Sequence, residues 1–229
     1  MLRRRLVAAA LVLVALYAGY MIWFRNLSWF AIHDVTIEGA STNQREIKSA
    51  VERAAGDMTT LHIKDGELRD AVARFPTVAS VRAGTSFPHG LTVTITERLP
   101  VAYVQRGGEQ TAVSADGYLL SGASFDPKQL PRIEGAAAHG ARLDEDAAAQ
   151  AAILGATPGP LRNRVTATSW DEQRGGVVLD LRNGPEVRFG DGSRARDKWA
   201  AAVAVLSGDQ RGSPSYLDVS VPERPVAGG

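Results

Sequence analysis

The sequence predicts an α+β protein: an N-terminal transmembrane helix, a small domain of order β-α-α-β-β, then a mostly antiparallel β-domain with helices. Three observations carry this reading. Residues Leu6 to Phe24 contain no charged side chain. Between Ile32 and Pro100, apolar residues recur at strand spacing, then twice at helical spacing, then twice more at strand spacing. Beyond Val101, short alternating runs are separated by turn signals such as Ala115-Asp116-Gly117 and Asn183-Gly184.

At ~1.5 Å rise per residue, the uncharged run makes a helix of roughly 28 Å, close to the ~30 Å hydrocarbon core of a bilayer. Arg3, Arg4 and Arg5 precede it and favour the cytoplasmic side. Tyr17, Tyr20, Trp23, Trp29 and Phe30 gather at its far end, where amphipathic rings favour the interface. Residues 1–5 therefore read as a short cytoplasmic tail, residues 6–24 as the span, and the remainder as exported. The alternative is a cleaved signal peptide, whose apolar core is typically ~7–15 residues with a small-residue cleavage site behind it. This run is longer and ends in Met21-Ile22-Trp23-Phe24-Arg25, with no small-x-small site.

The net charge is +1, but Arg3, Arg4, Arg5 and Arg25 leave 22 basic and 25 acidic side chains on the rest. That balance carries no footprint for nucleic acid. The chain has no cysteine, so disulfide and thiolate chemistry are absent. The exported part holds its fold by burial alone.

The small domain occupies residues 30–100. Val35 and Ile37 alternate with Thr36 and Glu38 in a strand, which Gly39 ends. Asn43 and Glu46 have capping-box spacing ahead of a helix with Ile47, Ala50, Val51 and Ala54 on one stripe and Gly56 as its stop. A second helix is expected from Asp65 to Phe75, with Leu68, Ala71, Val72 and Phe75 inward and Pro76 ending it. Two strands follow, Val78 to Ala83 and Leu91 to Thr96, around the turn Phe87-Pro88-His89-Gly90.

The β-domain is expected over residues 101–222, with 223–229 as a flexible tail. Thr111–Ser114 and Tyr118–Leu120 flank the Ala115-Asp116-Gly117 hairpin signal, and Gly135 to Gly140 reads as a loop. Leu143 to Leu154 is an alanine-rich helix with Asp144, Glu145 and Asp146 at its start. Strands follow at Val165–Trp170, Val177–Leu181 and Glu186–Phe189, then a helix from Arg194 to Leu206. The last strand is Tyr216 to Val221, which places Leu217, Val219 and Val221 on one face and Tyr216, Asp218 and Ser220 on the other.

Catalytic motifs are sparse. Gly190-Asp-Gly192-Ser-Arg-Ala195 has G-x-G-x-x-A spacing. It reads as a tight turn rather than a dinucleotide site, because an Asn-Gly hairpin feeds its strand. His33, His62, His89 and His139 are scattered without metal-ligand spacing. No G-x-S-x-G elbow is present. Glu97-Arg98 reads either as a structural pair at the domain join or as a partner-facing surface. Trp199 reads either as core or as contact. No catalytic, cofactor-binding or metal site is assigned.

The ordered residues Val35-Thr-Ile37-Glu-Gly39, Phe75-Pro76-x-Val78, Pro88-x-Gly90-Leu91-x-Val93-x-Ile95 and Glu97-Arg98-x-Pro100-Val101-Ala102, placed behind one N-terminal helix, resemble the POTRA domain of FtsQ/DivIB bacterial cell-division proteins. Leu130-Pro-x-Ile133, the Asn-Gly hairpin, the Lys198-bearing helix and the Tyr216-x-Asp218 strand resemble the β-domain of the same family. The resemblance implies a non-enzymatic divisome scaffold with no cofactor. It would sit in the cytoplasmic (inner) membrane at the division septum and bind FtsB-like and FtsL-like proteins outside that membrane. It also implies partner contact near the chain end. The candidate residues are Tyr216, Leu217, Asp218, Val219, Ser220 and Val221, with Lys198 and Trp199 beside them. Two alternatives are a membrane-anchored cell-wall hydrolase and a POTRA-type envelope assembly chaperone. The second usually brings repeated POTRA units, and no repeat is found.

Overall fold

The computed structural model describes the backbone of residues 2–22, 28–208 and 214–229, and the side chains of residues 10–20, 29–208 and 214–229. Trp23 and Phe24, the end of the expected span, lie outside the described residues, as do Met1 and the side chains of Arg3, Arg4 and Arg5. The first helix, α1 (Leu2–Ile22), is followed by a 3-10 turn at Ser28–Phe30. Leu11, Val12, Leu13, Val14, Leu16, Tyr17 and Tyr20 on α1 are all exposed. Among the described residues, no helix is long and apolar enough to cross a membrane. The chain divides into two compact units, Met1–Glu97 and Arg98–Gly229.

The first unit runs β1 (Asp34–Glu38), α2 (Gln44–Ala55), α3 (Asp65–Val72), β2 (Val78–Ser86) and β3 (Gly90–Glu97). Its sheet has the order β1-β3-β2, with β1 parallel and β2 antiparallel to β3. A parallel partner needs a long crossover, and the two helices supply it. Ile47, Val51 and Ala55 of α2 and Leu68 and Val72 of α3 bury against Leu91, Val93 and Ile95. Gly39 ends β1 at φ 80°, where an added Cβ would lie 2.3 Å from the Ile95 carbonyl oxygen.

Two local expectations change. Helix α3 stops at Val72, and the Phe75 ring is only partly buried, packed on the rim of this core. Asn43 adopts left-handed φ 54° and makes no side-chain cap. The loop before α2 is served instead from β3. The Glu97 carboxylate accepts the Ser41 N–H at 2.9 Å, the Thr42 N–H at 2.8 Å and the Ser41 hydroxyl. Burial pushes this carboxyl up, but the bonds from Ser41 and Thr42 outweigh it and hold it below its ordinary value. A depressed folded-state value stabilises above the unfolded one and is lost as pH falls through the folded one. Glu97→Gln should therefore cost about 1 kcal/mol at neutral pH. The gap between the two proteins should close in acid, below pH ~4. Thermal midpoints of both at neutral and acid pH check this. A gap that persists unchanged in acid would contradict it.

The second unit is built on eight strands in the order β13-β12-β11-β10-β9-β6-β4-β5. They are β4 (Pro100–Arg106), β5 (Glu109–Ser114), β6 (Arg132–Ile133), β9 (Val165–Asp171), β10 (Gly176–Leu181), β11 (Glu186–Gly190), β12 (Tyr216–Asp218) and β13 (Val226–Gly228). The pairs β4–β6, β6–β9 and β11–β12 are parallel and the others antiparallel. Parallel pairing is thus more frequent than the turn signals suggested. The stretch read as a loop around Gly135–Gly140 holds a small pair, β7 (Ala138–His139) and β8 (Arg142–Leu143).

Helix α4 (Glu145–Gly155) starts at Asp144, whose carboxylate accepts the Ala147 N–H at 3.0 Å. The short α5 (Gly159–Arg162) leads into β9. With α6 (Ala195–Ser207), α4 packs on the sheet over Ala102, Val104, Val177, Leu179, Val187, Phe189 and Leu217. Arg98 pairs with Asp116 at 2.8 Å and lies over the Tyr118 ring, so Glu97 and Arg98 each serve their own unit.

Candidate functional site

The end of the chain differs from its expected form, and the difference moves the candidate edge. The regular strand is Tyr216–Asp218, not Tyr216 to Val221. It lies inside the sheet, parallel to β11 on one side and antiparallel to β13 on the other. Residues 223–229, expected as a loose tail, contain β13. Pro222 and Pro225 bracket a turn, closed by the Arg224 N–H donating to the Val221 carbonyl at 2.9 Å, and do not end the fold. Arg194 pairs with Glu223 and ties that turn to the start of α6.

Ser220 is not an edge donor. Its N–H donates to Asp218 Oδ1 at 2.9 Å, and its hydroxyl donates to the same oxygen at 2.7 Å. Leu217 and Val219 are buried, as their alternation requires. Tyr216 is half-buried beneath the Arg188 guanidinium, which sits 4.1 Å from the ring centroid. Val221 is exposed.

The edge belongs to β13. The Val219 N–H donates to the Arg188 carbonyl at 2.8 Å, toward β11. Main-chain groups alternate sides along a strand, so Tyr216 and Asp218 direct theirs toward β13. Their register partners are Gly228 and Val226. Ala227, opposite Leu217, therefore turns its N–H and C=O to the free side. Val226 and Ala227 are exposed. At the other end of the sheet, β5 is partly covered: the Leu120 N–H donates to the Ala112 carbonyl at 2.8 Å.

Lys198 and Trp199 are not surface contacts. Lys198 is 2% exposed and Trp199 1%. The Lys198 Nζ reaches the Asp191 carboxylate at 2.5 Å and the Asp191 carbonyl at 2.9 Å. Lys198 and the Ser193 hydroxyl together hold the Asp191 carboxyl below its ordinary value. The Trp199 indole N–H donates to the Ile153 carbonyl at 2.8 Å, and its ring packs at a tilt on Phe189, with centroids 4.8 Å apart. Both side chains fasten α6 to the unit beneath it.

The Gly190-to-Ala195 turn does lie in a β-α-β unit, since β11 and β12 are parallel and α6 joins them. A hairpin feeding β11 therefore does not by itself distinguish this turn from a dinucleotide site. What fills the turn is protein: Lys198 occupies the Asp191 oxygens, and a Cβ at Gly192 would come within 2.8 Å of Ala149 Cα. The histidines are less scattered than the sequence suggests, because the His33 and His89 rings lie 5.2 Å apart. Among the described residues no three histidine, aspartate or glutamate side chains group as metal ligands.

Two family models match the chain. One described as "Cell division protein FtsQ/DivIB, C-terminal" covers residues 102–220, and one described as "POTRA domain, FtsQ-type" covers residues 30–98. The chain is similar to cell division protein FtsQ of Streptomyces venezuelae, with 29% identity over 93% of this chain and 80% of the relative. It is also similar to FtsQ of Streptomyces coelicolor, with 28% identity over 98% of this chain and 87% of the relative. The major extracytoplasmic domain of DivIB from Geobacillus stearothermophilus is 19% identical, covers 51% of this chain and 99% of its own, and gives a TM-score of 0.35.

Proposed function

We propose, because the chain belongs to the FtsQ/DivIB family of cell-division proteins, that it works by binding: an anchored scaffold that gathers other division proteins outside the cytoplasmic membrane. The partners are FtsB-like and FtsL-like proteins, and the place is the division septum.

Anchoring is supported by the uncharged run Leu6–Phe24, the arginines before it and the exposed apolar side chains along α1. An anchor confines the search for a membrane-bound partner to two dimensions and raises its effective concentration.

One observation carries the binding mode. Among the described residues no strand pairs with the outer side of β13, the last strand of the second unit's sheet, and Ala227 directs its main-chain groups to that side. Such an edge accepts a partner strand by main-chain hydrogen bonds. A photo-crosslinking residue at position 227, in dividing cells, should capture a small FtsB-like protein. The same residue at Glu109 on β5 should not. Capture from Glu109 with none from position 227 would overturn this assignment.

A further inference from the structure

Three segments far apart in sequence meet at one end of the first unit: 28–33, 58–63 and 85–90. The Thr60 N–H donates to the Phe30 carbonyl at 2.8 Å, and the Thr60 hydroxyl to the Pro88 carbonyl at 2.9 Å. The His33 N–H donates to the His89 carbonyl at 3.0 Å, and His89 Nδ1 lies 3.1 Å from the Ala31 carbonyl oxygen. The Phe30 and Phe87 rings pack at 5.7 Å.

This end has an unusual chemistry. None of the three segments contains Asp, Glu, Lys or Arg, although α2 and α3 of the same unit carry all four. Trp29 is 79% exposed, Phe87 72% and Leu61 36%. Among the described residues beyond α1, these are the exposed large apolar side chains of the unit, and all three are here. Exposed apolar side chains gathered on one patch mark an interaction surface.

We infer that this end lies in the interfacial layer of the bilayer into which the uncharged run inserts. The inference rests on the anchored reading above. Its occupant follows from chain length. Trp29 comes five residues after Phe24, and a fully extended chain gains at most ~3.6 Å per residue, so Trp29, at the patch, stays within about 18 Å of the span's end. Tryptophan and other amphipathic rings favour the headgroup level, where their apolar bodies and polar tips are both accommodated. A rim without Asp, Glu, Lys or Arg, tied by the backbone bonds above, enters that layer without stripping water from a carboxylate, ammonium or guanidinium. The anchor is then a two-part device. The helix sets the depth, and the aromatic end of the POTRA domain rests on the surface and limits the domain's swing.

The native chain has no cysteine, so single cysteines carry a nitroxide label cleanly. Full chains with Leu13→Cys, Leu61→Cys, Phe87→Cys or Glu52→Cys are placed in phosphatidylethanolamine–phosphatidylglycerol nanodiscs. Collision with oxygen and with a water-soluble nickel chelate is measured by power saturation. Labels at 61 and 87 should show an oxygen-to-nickel ratio several-fold above that at 52 and below that at 13. Each patch site reads independently, so one variant that fails to fold leaves the other. Labels at 61 and 87 as nickel-accessible as 52, with 13 in lipid, would overturn the inference and leave the anchor standing. Labels shielded from both reagents would overturn it in favour of a protein occupant. A nickel-accessible label at 13 would overturn the anchor and the inference with it.

Discussion

Trp199→Ala should strongly destabilise the second unit while leaving the first unchanged. The indole is 1% exposed, packs at a tilt against Phe189 and donates to the Ile153 carbonyl on α4. It ties α6 to α4 and to β11. Truncating a buried Trp costs about 3–5 kcal/mol, against a total stability for a domain of about 5–15 kcal/mol. Trp199→Phe keeps a ring and loses the N–H, so its cost should be about 1–2 kcal/mol. The Ile153 carbonyl still accepts the Ala156 N–H at 3.2 Å, which limits the penalty in both variants. Hydrogen exchange resolved along the chain separates the units: protection should fall at least ~100-fold in β9 to β12 and persist in β3. A fully protected Trp199→Ala protein that no longer retains a partner would return Trp199 to the surface.

The first unit was largely legible because its pattern is local. Val35 and Ile37, Ile47 and Val51, Leu68 and Val72, and Leu91, Val93 and Ile95 each announce a face, and the structure buries the helical and β3 sets in one core. The turn at Phe87–Gly90 and the stop at Gly39 needed only their own residues. What the sequence hid is non-local. Strand β13 is three residues with proline before it and glycine at its end, and nothing in Val226-Ala-Gly228 alternates. It exists because Tyr216 and Asp218 offer main-chain groups to it. The parallel pairs β4–β6 and β6–β9 likewise have no connecting turn to betray them.

The burial of Lys198 is hidden in the sequence for a different reason. Lysine is rarely fully buried unless paired, and its partner sits seven residues upstream, across a turn. The Gly190-Asp191-Gly192 sequence before a helix carrying lysine on its inner side was the available signal. The aromatic end of the first unit was present in the sequence as three stretches without Asp, Glu, Lys or Arg. Only the fold brings them together.

The largest effect on function is expected at Ala227. Proline there removes an N–H that faces away from β12, so the intramolecular ladder keeps its bonds, as edge strands allow. A partner strand loses a donor and meets a ring in its path. One main-chain bond is worth about 0.5–1.5 kcal/mol, and displaced register adds to it, so affinity should fall at least ~10-fold. Ala227→Thr keeps the donor and suits a strand, so it should bind as the parent does. Leu217→Pro, in the sheet interior, should unfold the unit.

The most direct test is the affinity of the full chain, held in nanodiscs, for an FtsB-like partner presented with its FtsL-like companion. The parent, Ala227→Thr and Ala227→Pro are compared, with chain-resolved hydrogen exchange on each to establish that β9 to β12 are intact. The account predicts parent-like binding for Ala227→Thr and at least ~10-fold weaker binding for a fully folded Ala227→Pro. Parent-like binding by Ala227→Pro would contradict it.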